Sequence, residues 1–194
     1  MKYLLLFLFC YPVLTYSQND LLEDIDSESR DTSYVIAAFK GLKVVNFEST
    51  KLVYKNEFTL VVSHRFGSIE NGFDTFFGLD NAVTRLNFIY GITDAFNIGV
   101  SRSSFLKVYD VTVKYRLKRQ EKNGFPFTIV GFNALLINTA LDKQNLPFLE
   151  FKHRLGYTAQ FLISRKINTD FSLELAPTFF HDNYVAIDEQ KNSQ

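Results

Sequence analysis

An all-β fold, an antiparallel up-and-down meander that forms a transmembrane β-barrel, is predicted by three features of this sequence. Seven stretches alternate apolar and polar residues, and such a period of two belongs to strands, whose successive side chains point to opposite faces. The stretches run about ten residues, against about five or six for typical soluble strands. At roughly 3.3 Å per residue and a tilt of about 40° each rises about 25 Å, the height of the apolar band of an outer-membrane barrel. Finally, the stretches follow an N-terminal segment built like a cleaved export signal.

That segment is residues 1–17. Lys2 supplies a short positive region. Residues 3–14 form an apolar run too short to cross a bilayer as a helix. Thr15 and Ser17 are small residues two apart, so cleavage would leave Gln18 at the new N-terminus. Cys10, the only cysteine, lies inside the segment, and bulky Phe9 argues against lipid attachment there. The processed chain then has no thiol, which excludes disulfides, cysteine metal sites, iron–sulfur clusters and covalent haem. Lys plus Arg equals Asp plus Glu at 21 each, so no basic excess points to nucleic acid. A hydrophobic content of 46% belongs to a folded chain rather than a disordered one. No later apolar run reaches transmembrane-helix length, so strands must hold the chain in any membrane.

Residues 18–33 read as an acidic, flexible lead-in and residues 34–194 as the barrel domain. Residues 34–47 are apolar with Lys40 and Lys43 embedded; they supply either an extra strand or a segment tucked inside the barrel. The first clear strand is 57–66, with Phe58, Leu60, Val62, His64 and Phe66 on one face. The second is 84–93 and the third 96–102. The fourth, 108–118, sets Tyr109, Val111, Val113, Tyr115 and Leu117 outward against Asp110, Thr112, Lys114, Arg116 and Lys118 inward. The fifth, 126–137, has apolar residues on both faces, which blurs its register. The sixth is 151–165 and the seventh 170–180. Short turns follow strands two, four and six, whereas long loops, 67–83 and 138–150, follow strands one and five. Outer-membrane barrels place short turns on the periplasmic side and long loops outside. The short loop at 103–107 breaks that order.

Three stretches carry a family resemblance: Ser63-His64-Arg65-Phe66-Gly67, then Phe77-Gly78-Leu79-Asp80-Asn81-Ala82, then Tyr90-Gly91-Ile92-Thr93-Asp94 leading into Asn97-Ile98-Gly99. In this order and spacing, residues 38–184 resemble a family of uncharacterised Gram-negative outer-membrane β-barrel proteins, defined only as a domain of unknown function. The resemblance implies a barrel and an outer-membrane location and carries no established activity with it; the expected partners are outer-membrane lipid and, during assembly, the barrel-insertion machinery, with no nucleic acid. Members of such families finish on a strand with a terminal aromatic residue. This chain ends in a polar run, residues 187–194, and seven strands is an odd number. The domain is therefore read as C-terminally truncated, with seven or eight strands present.

The sequence offers three groups of residues that could carry chemistry. His64, His153 and His181 fall near the long-loop end, with Asp74, Asp80 and Asp182 in nearby loops or strand ends. No two of these histidines share a ligand spacing on one element, so they read as interfacial rings rather than metal ligands. Ser63 and His64 are adjacent in a strand, point to opposite faces and cannot form a nucleophile–base pair. No catalytic, cofactor or metal residues are assigned. The inward charges say more. Arg65, Arg85, Lys114, Arg116, Lys152 and Arg154 face the lumen on this register, with Glu57, Asp110 and Glu174 as partners. In a small barrel such charges favour a salt-bridged plug over an open pore. The function read from the sequence is structural or transport-related, without chemistry of its own. The alternatives are a soluble periplasmic barrel binding a lipid-like ligand and a barrel-embedded lipid-modifying enzyme.

Overall fold

The computed structural model describes residues 33–185, apart from Ile36 and Asn46. The expected export signal, residues 18–32 of the expected lead-in and the polar run 187–194 lie outside the described residues. Strands β1 (Lys43–Val44) and β2 (Phe47–Glu48) make a small hairpin. One antiparallel sheet contains the rest: β3 (Phe58–Arg65), β4 (Val83–Thr93), β5 (Phe96–Ser103), β6 (Val108–Lys118), β7 (Thr128–Asn138), β8 (Leu155–Lys166), β9 (Ser172–Leu175) and β10 (Thr178–Asp182). Each strand from β3 to β8 pairs with its sequence neighbour, and β9 and β10 both pair with β8. This is the up-and-down meander that the alternation predicts. The sheet curls into a half-barrel trough, because β3 and β10, at its two ends, line one cavity.

Register sorts the side chains cleanly. Val62 opposes Leu86, Phe88 opposes Val100, and Val111 opposes Leu135 on the convex face. That face is apolar and open: Phe58 is 62% exposed, Val111 51% and Leu175 60%. On the concave face Ser101 opposes Asp110, and Asn97 opposes Lys114; all four are buried. The polar side of this sheet is therefore the inside, the reverse of a water-soluble sandwich.

Two expected strands differ in outline. The seventh stretch is two strands, β9 and β10, separated at Ala176 and Pro177. Proline has no N–H to give the ladder; its carbonyl still accepts from Phe161 N–H at 3.0 Å. The sixth strand begins at Leu155, because Phe151–Arg154 form a 3-10 turn. There the Glu150 carboxylate and the His153 ring make reciprocal capping contacts with backbone N–H groups.

Residues 34–47 do not add a strand to the sheet. The β1–β2 hairpin and the chain that follows it to Tyr54 lie against the concave face, where Glu48, Ser49, Thr50, Leu52 and Val53 are buried. Leu52 packs against Val130 and Leu162, with Phe132 and Ala176 beside them. Burying such a leucine contributes roughly 2 kcal/mol. The contact also explains the blurred fifth stretch. The concave side of β7 is apolar where it meets Leu52, and its convex side is apolar like the rest of that face.

Candidate functional site

The trough divides at mid-height. Its short-turn end, near residues 94–95, 119–127 and 167–171, is occupied by the segment that ends at Tyr54, which leaves a cavity of about 230 Å³ between Thr50, Tyr54, Arg116 and Arg119. Its long-loop end holds a cavity of about 520 Å³.

The fastening of the segment begins with charge. Glu48 accepts from Lys43 of its own hairpin and from Lys114 of β6, the latter at 3.2 Å. Burial works against a charged Glu48, but the two lysines outweigh it and hold the carboxyl below its ordinary value. Lys114 Nζ also reaches the Leu42 carbonyl at 3.4 Å. Thr50 is gripped twice. Its N–H donates to Glu174 of β9 at 3.0 Å, and its hydroxyl meets Ser164 Oγ of β8 at 2.5 Å. Ser49 closes the hairpin by donating to the Gly41 carbonyl at 2.6 Å.

Backbone contacts complete the attachment, and they fall on one of the stretches that carries the family resemblance. At Gly91 the chain of Val53 and Tyr54 passes so close that a Cβ would overlap the Tyr54 carbonyl oxygen. Asn56 N–H donates to the Gly91 carbonyl at 2.7 Å, and Gly91 N–H donates to the Glu57 carbonyl at 3.0 Å. Asp94 accepts from Lys55 N–H at 3.1 Å. The buried Asn97 carboxamide, oriented to satisfy both of its ends, accepts from Val53 N–H at 2.6 Å and donates to the Val53 carbonyl at 3.0 Å. The other two stretches meet each other. Gly67 N–H donates to the Gly78 carbonyl at 2.8 Å at the base of the long loop, and Gly78 has φ +83°. A side chain there would strike the Gly67 backbone.

Above the segment lies a second charged group. Asp110 of β6 is buried and accepts from Arg85 of β4 and from Ser101 of β5. Arg85 Nε also donates to Ser101 Oγ at 2.9 Å. Over this group opens the cavity. Arg65, Arg85 and Arg154 line it, as do Phe66, Leu136 and Phe180. Arg154 donates to the Asn138 carbonyl at 3.2 Å. Asp182 is the one carboxylate among the lining residues, and it lies across Gly156, where a Cβ would touch it.

The nine charged residues singled out in the sequence are thus dispersed. Arg85 and Asp110 meet each other; Lys114 and Glu174 hold the inserted segment; Arg65 and Arg154 line the cavity. Arg116 shares the register face of Lys114 at the short-turn end. Glu57 precedes β3 and accepts from Tyr54 N–H at 3.1 Å across a turn. Lys152 sits in the 3-10 turn, is exposed and pairs with Glu150 at 2.7 Å. The histidines engage separate neighbours. His64 bonds Thr84 Oγ1 at 2.8 Å, His153 accepts from Glu150 N–H at 3.0 Å, and His181 stacks on Tyr157. Asp74 lies in a 3-10 turn of the long loop, and Asp80 follows it there. Among the described residues no group of three or more His, Cys, Asp or Glu is placed to hold a metal ion. Glu48 and Thr50 are not among the residues the sequence singles out, and Asn97 stands there only within a resemblance stretch. The one sequence signal for Glu48 is an acid close to Lys43 at the end of an apolar stretch.

The family model described as "Membrane bound beta barrel domain (DUF5777)" matches residues 39–194. No curated protein and no solved structure matches the chain.

Proposed function

Because the chain belongs to this family of membrane-bound β-barrel domains, we propose that it works in the outer membrane as a structural or transport-related barrel with no chemistry of its own. In this reading it is closed at rest by the segment that ends at Tyr54. Its short turns face the periplasm and its arginine-lined cavity faces outward, the usual disposition of short turns and long loops. The convex face supports a lipid setting. A continuous open apolar wall would be an aggregation liability in water but is what hydrocarbon requires.

The observation that carries the closed state is the double attachment of the segment, by Glu48 to Lys114 of β6 and by Thr50 to Ser164 and Glu174 of β8 and β9. In this reading, ties to β6 on one side and to β8 and β9 on the other hold the segment across the trough, where it narrows the axial path. Planar-bilayer recording on the full chain tests the reading. The expected result is no steady conductance for the native protein and discrete conducting events for Gly91→Ala, which displaces the segment. A large steady conductance in the native protein would overturn the closed state. Recovery of the protein from the soluble periplasm without detergent would overturn the membrane setting.

A further inference from the structure

We infer that the cavity at the long-loop end is a binding site for a small organic acid with an apolar body, of the aryl- or alkyl-carboxylate class. The inference rests on the proposed function only for the compartment to which the cavity opens.

Three guanidinium groups set the charge. Arg65 and Arg85 stand on adjacent strands of one face: Arg85 opposes Ser63, and Arg65 lies two residues further along. They are diagonal neighbours of like charge, an arrangement that costs stability unless an anion lies between them. Arg85 is held in place from below by Asp110 and Ser101. Arg154 enters from the opposite wall, tethered through one nitrogen to the Asn138 carbonyl. Among the described residues neither Arg65 nor Arg154 forms an ion pair with a carboxylate. Asp110 answers Arg85, and Asp182 is the one carboxylate among the lining residues, so the three guanidinium groups outnumber the carboxylates beside them by one. The planar fork of arginine matches a carboxylate in bidentate fashion, and partial burial strengthens the bond.

The rest of the wall selects the body of the ligand. Phe66, Phe105, Leu136 and Phe180 line the same space. Arginines without these rings would suit any small anion, and rings without arginines would suit any neutral apolar molecule. The combination calls for both properties in one molecule. A volume of about 520 Å³ lies within the range of small-molecule sites. It accommodates a phenylalkanoate and is too small for a whole two-chain lipid.

The test is calorimetric titration of the full chain, in nanodiscs, with 4-phenylbutyrate, its neutral amide and inorganic phosphate. Saturable binding of 4-phenylbutyrate is expected, with at least tenfold weaker binding of the amide and of phosphate. Arg65→Gln and Arg154→Gln, alone and together, should weaken the acid at least tenfold and leave the amide unchanged. Arg119→Gln, at the other end of the trough, should leave both unchanged. Retained heat-modifiable migration in the gel shows that each variant still folds. Equal binding of acid and amide, equal binding of phosphate and 4-phenylbutyrate, or full binding in the folded double variant would each overturn the inference. Conductance is measured separately, so failure of the closed-barrel reading with binding intact, or the converse, is recognisable.

Discussion

Replacing Gly91 by alanine should detach the inserted segment while leaving the sheet in place. The added Cβ would overlap the Tyr54 carbonyl oxygen and lie 2.7 Å from its carbon and 3.0 Å from the Val53 oxygen. These are backbone atoms, which cannot rotate aside as the end of a side chain can. Relief of the overlap with the Tyr54 oxygen to an ordinary contact of about 3.4 Å moves the chain at Val53 and Tyr54 by roughly one and a half ångströms. The bonds from Asn56 to Gly91 at 2.7 Å and from Gly91 to Glu57 at 3.0 Å would then pass beyond hydrogen-bonding range. So would both bonds between Asn97 and Val53. At about 1 kcal/mol net for each bond, the loss is roughly 2–5 kcal/mol, or about thirtyfold to several-thousandfold in the detached population. Hydrogen exchange followed by mass spectrometry reads this directly. The peptide covering residues 47–57 should lose protection in Gly91→Ala while peptides from β6 to β8 keep theirs. Unchanged protection at 47–57 would refute the reasoning, because the glycine would then not be required by the close approach.

Other outcomes follow from the same geometry. Glu48→Gln should detach the segment and raise tryptic cleavage at Lys51 and Lys55, since the buried Lys114 would lose the carboxylate it pairs with; breaking such a pair costs about 3–5 kcal/mol. Glu48→Met with Lys114→Met should recover much of the loss, which the same digestion checks. Glu48 also sets a pH dependence. A carboxyl held below its ordinary value in the docked state contributes fully above the ordinary carboxylate range, about 4.3, and that contribution disappears as pH falls through the docked value. Exchange at residues 47–57 should therefore be protected at neutral pH and lose protection at the acid end, with Glu48→Gln showing no such step. Gly78→Ala should loosen the long loop at a cost of roughly 1–3 kcal/mol, because φ is +83° and Gly67 occupies the space. Proteolysis confined to residues 67–82, with β4 to β8 intact, is the expected pattern.

Strand content and facing were legible in the sequence because period-two alternation reports which wall a side chain joins. The stretch 108–118 has the same bounds as β6. The seventh stretch was legible except at Pro177, where alternation continues through a residue that has no N–H to give the ladder. The sixth began late because a capped 3-10 turn at Phe151–Arg154 preserves the residue pattern without the extended backbone. The inserted segment was harder to read. The segment that ends at Tyr54 mixes apolar and charged side chains because it meets an interior that is itself mixed: Glu48 finds Lys114, and Leu52 finds Val130 and Leu162. Such pairing depends on contacts distant in sequence, which periodicity does not report. The roles of Gly67, Gly78 and Gly91 were equally hidden, since a glycine alone does not say which backbone comes close to it.

The central claim, that the apolar convex wall meets hydrocarbon, is tested most directly by spin labels placed one at a time along β6 in liposome-reconstituted protein. Labels at Tyr109, Val111 and Val113 should collide freely with oxygen and be shielded from a water-soluble nickel chelate, and labels at Asp110 and Thr112 should fall out of that alternation. Equal access of the nickel chelate to Val111 and to an exposed loop position such as Gln144 would contradict the account.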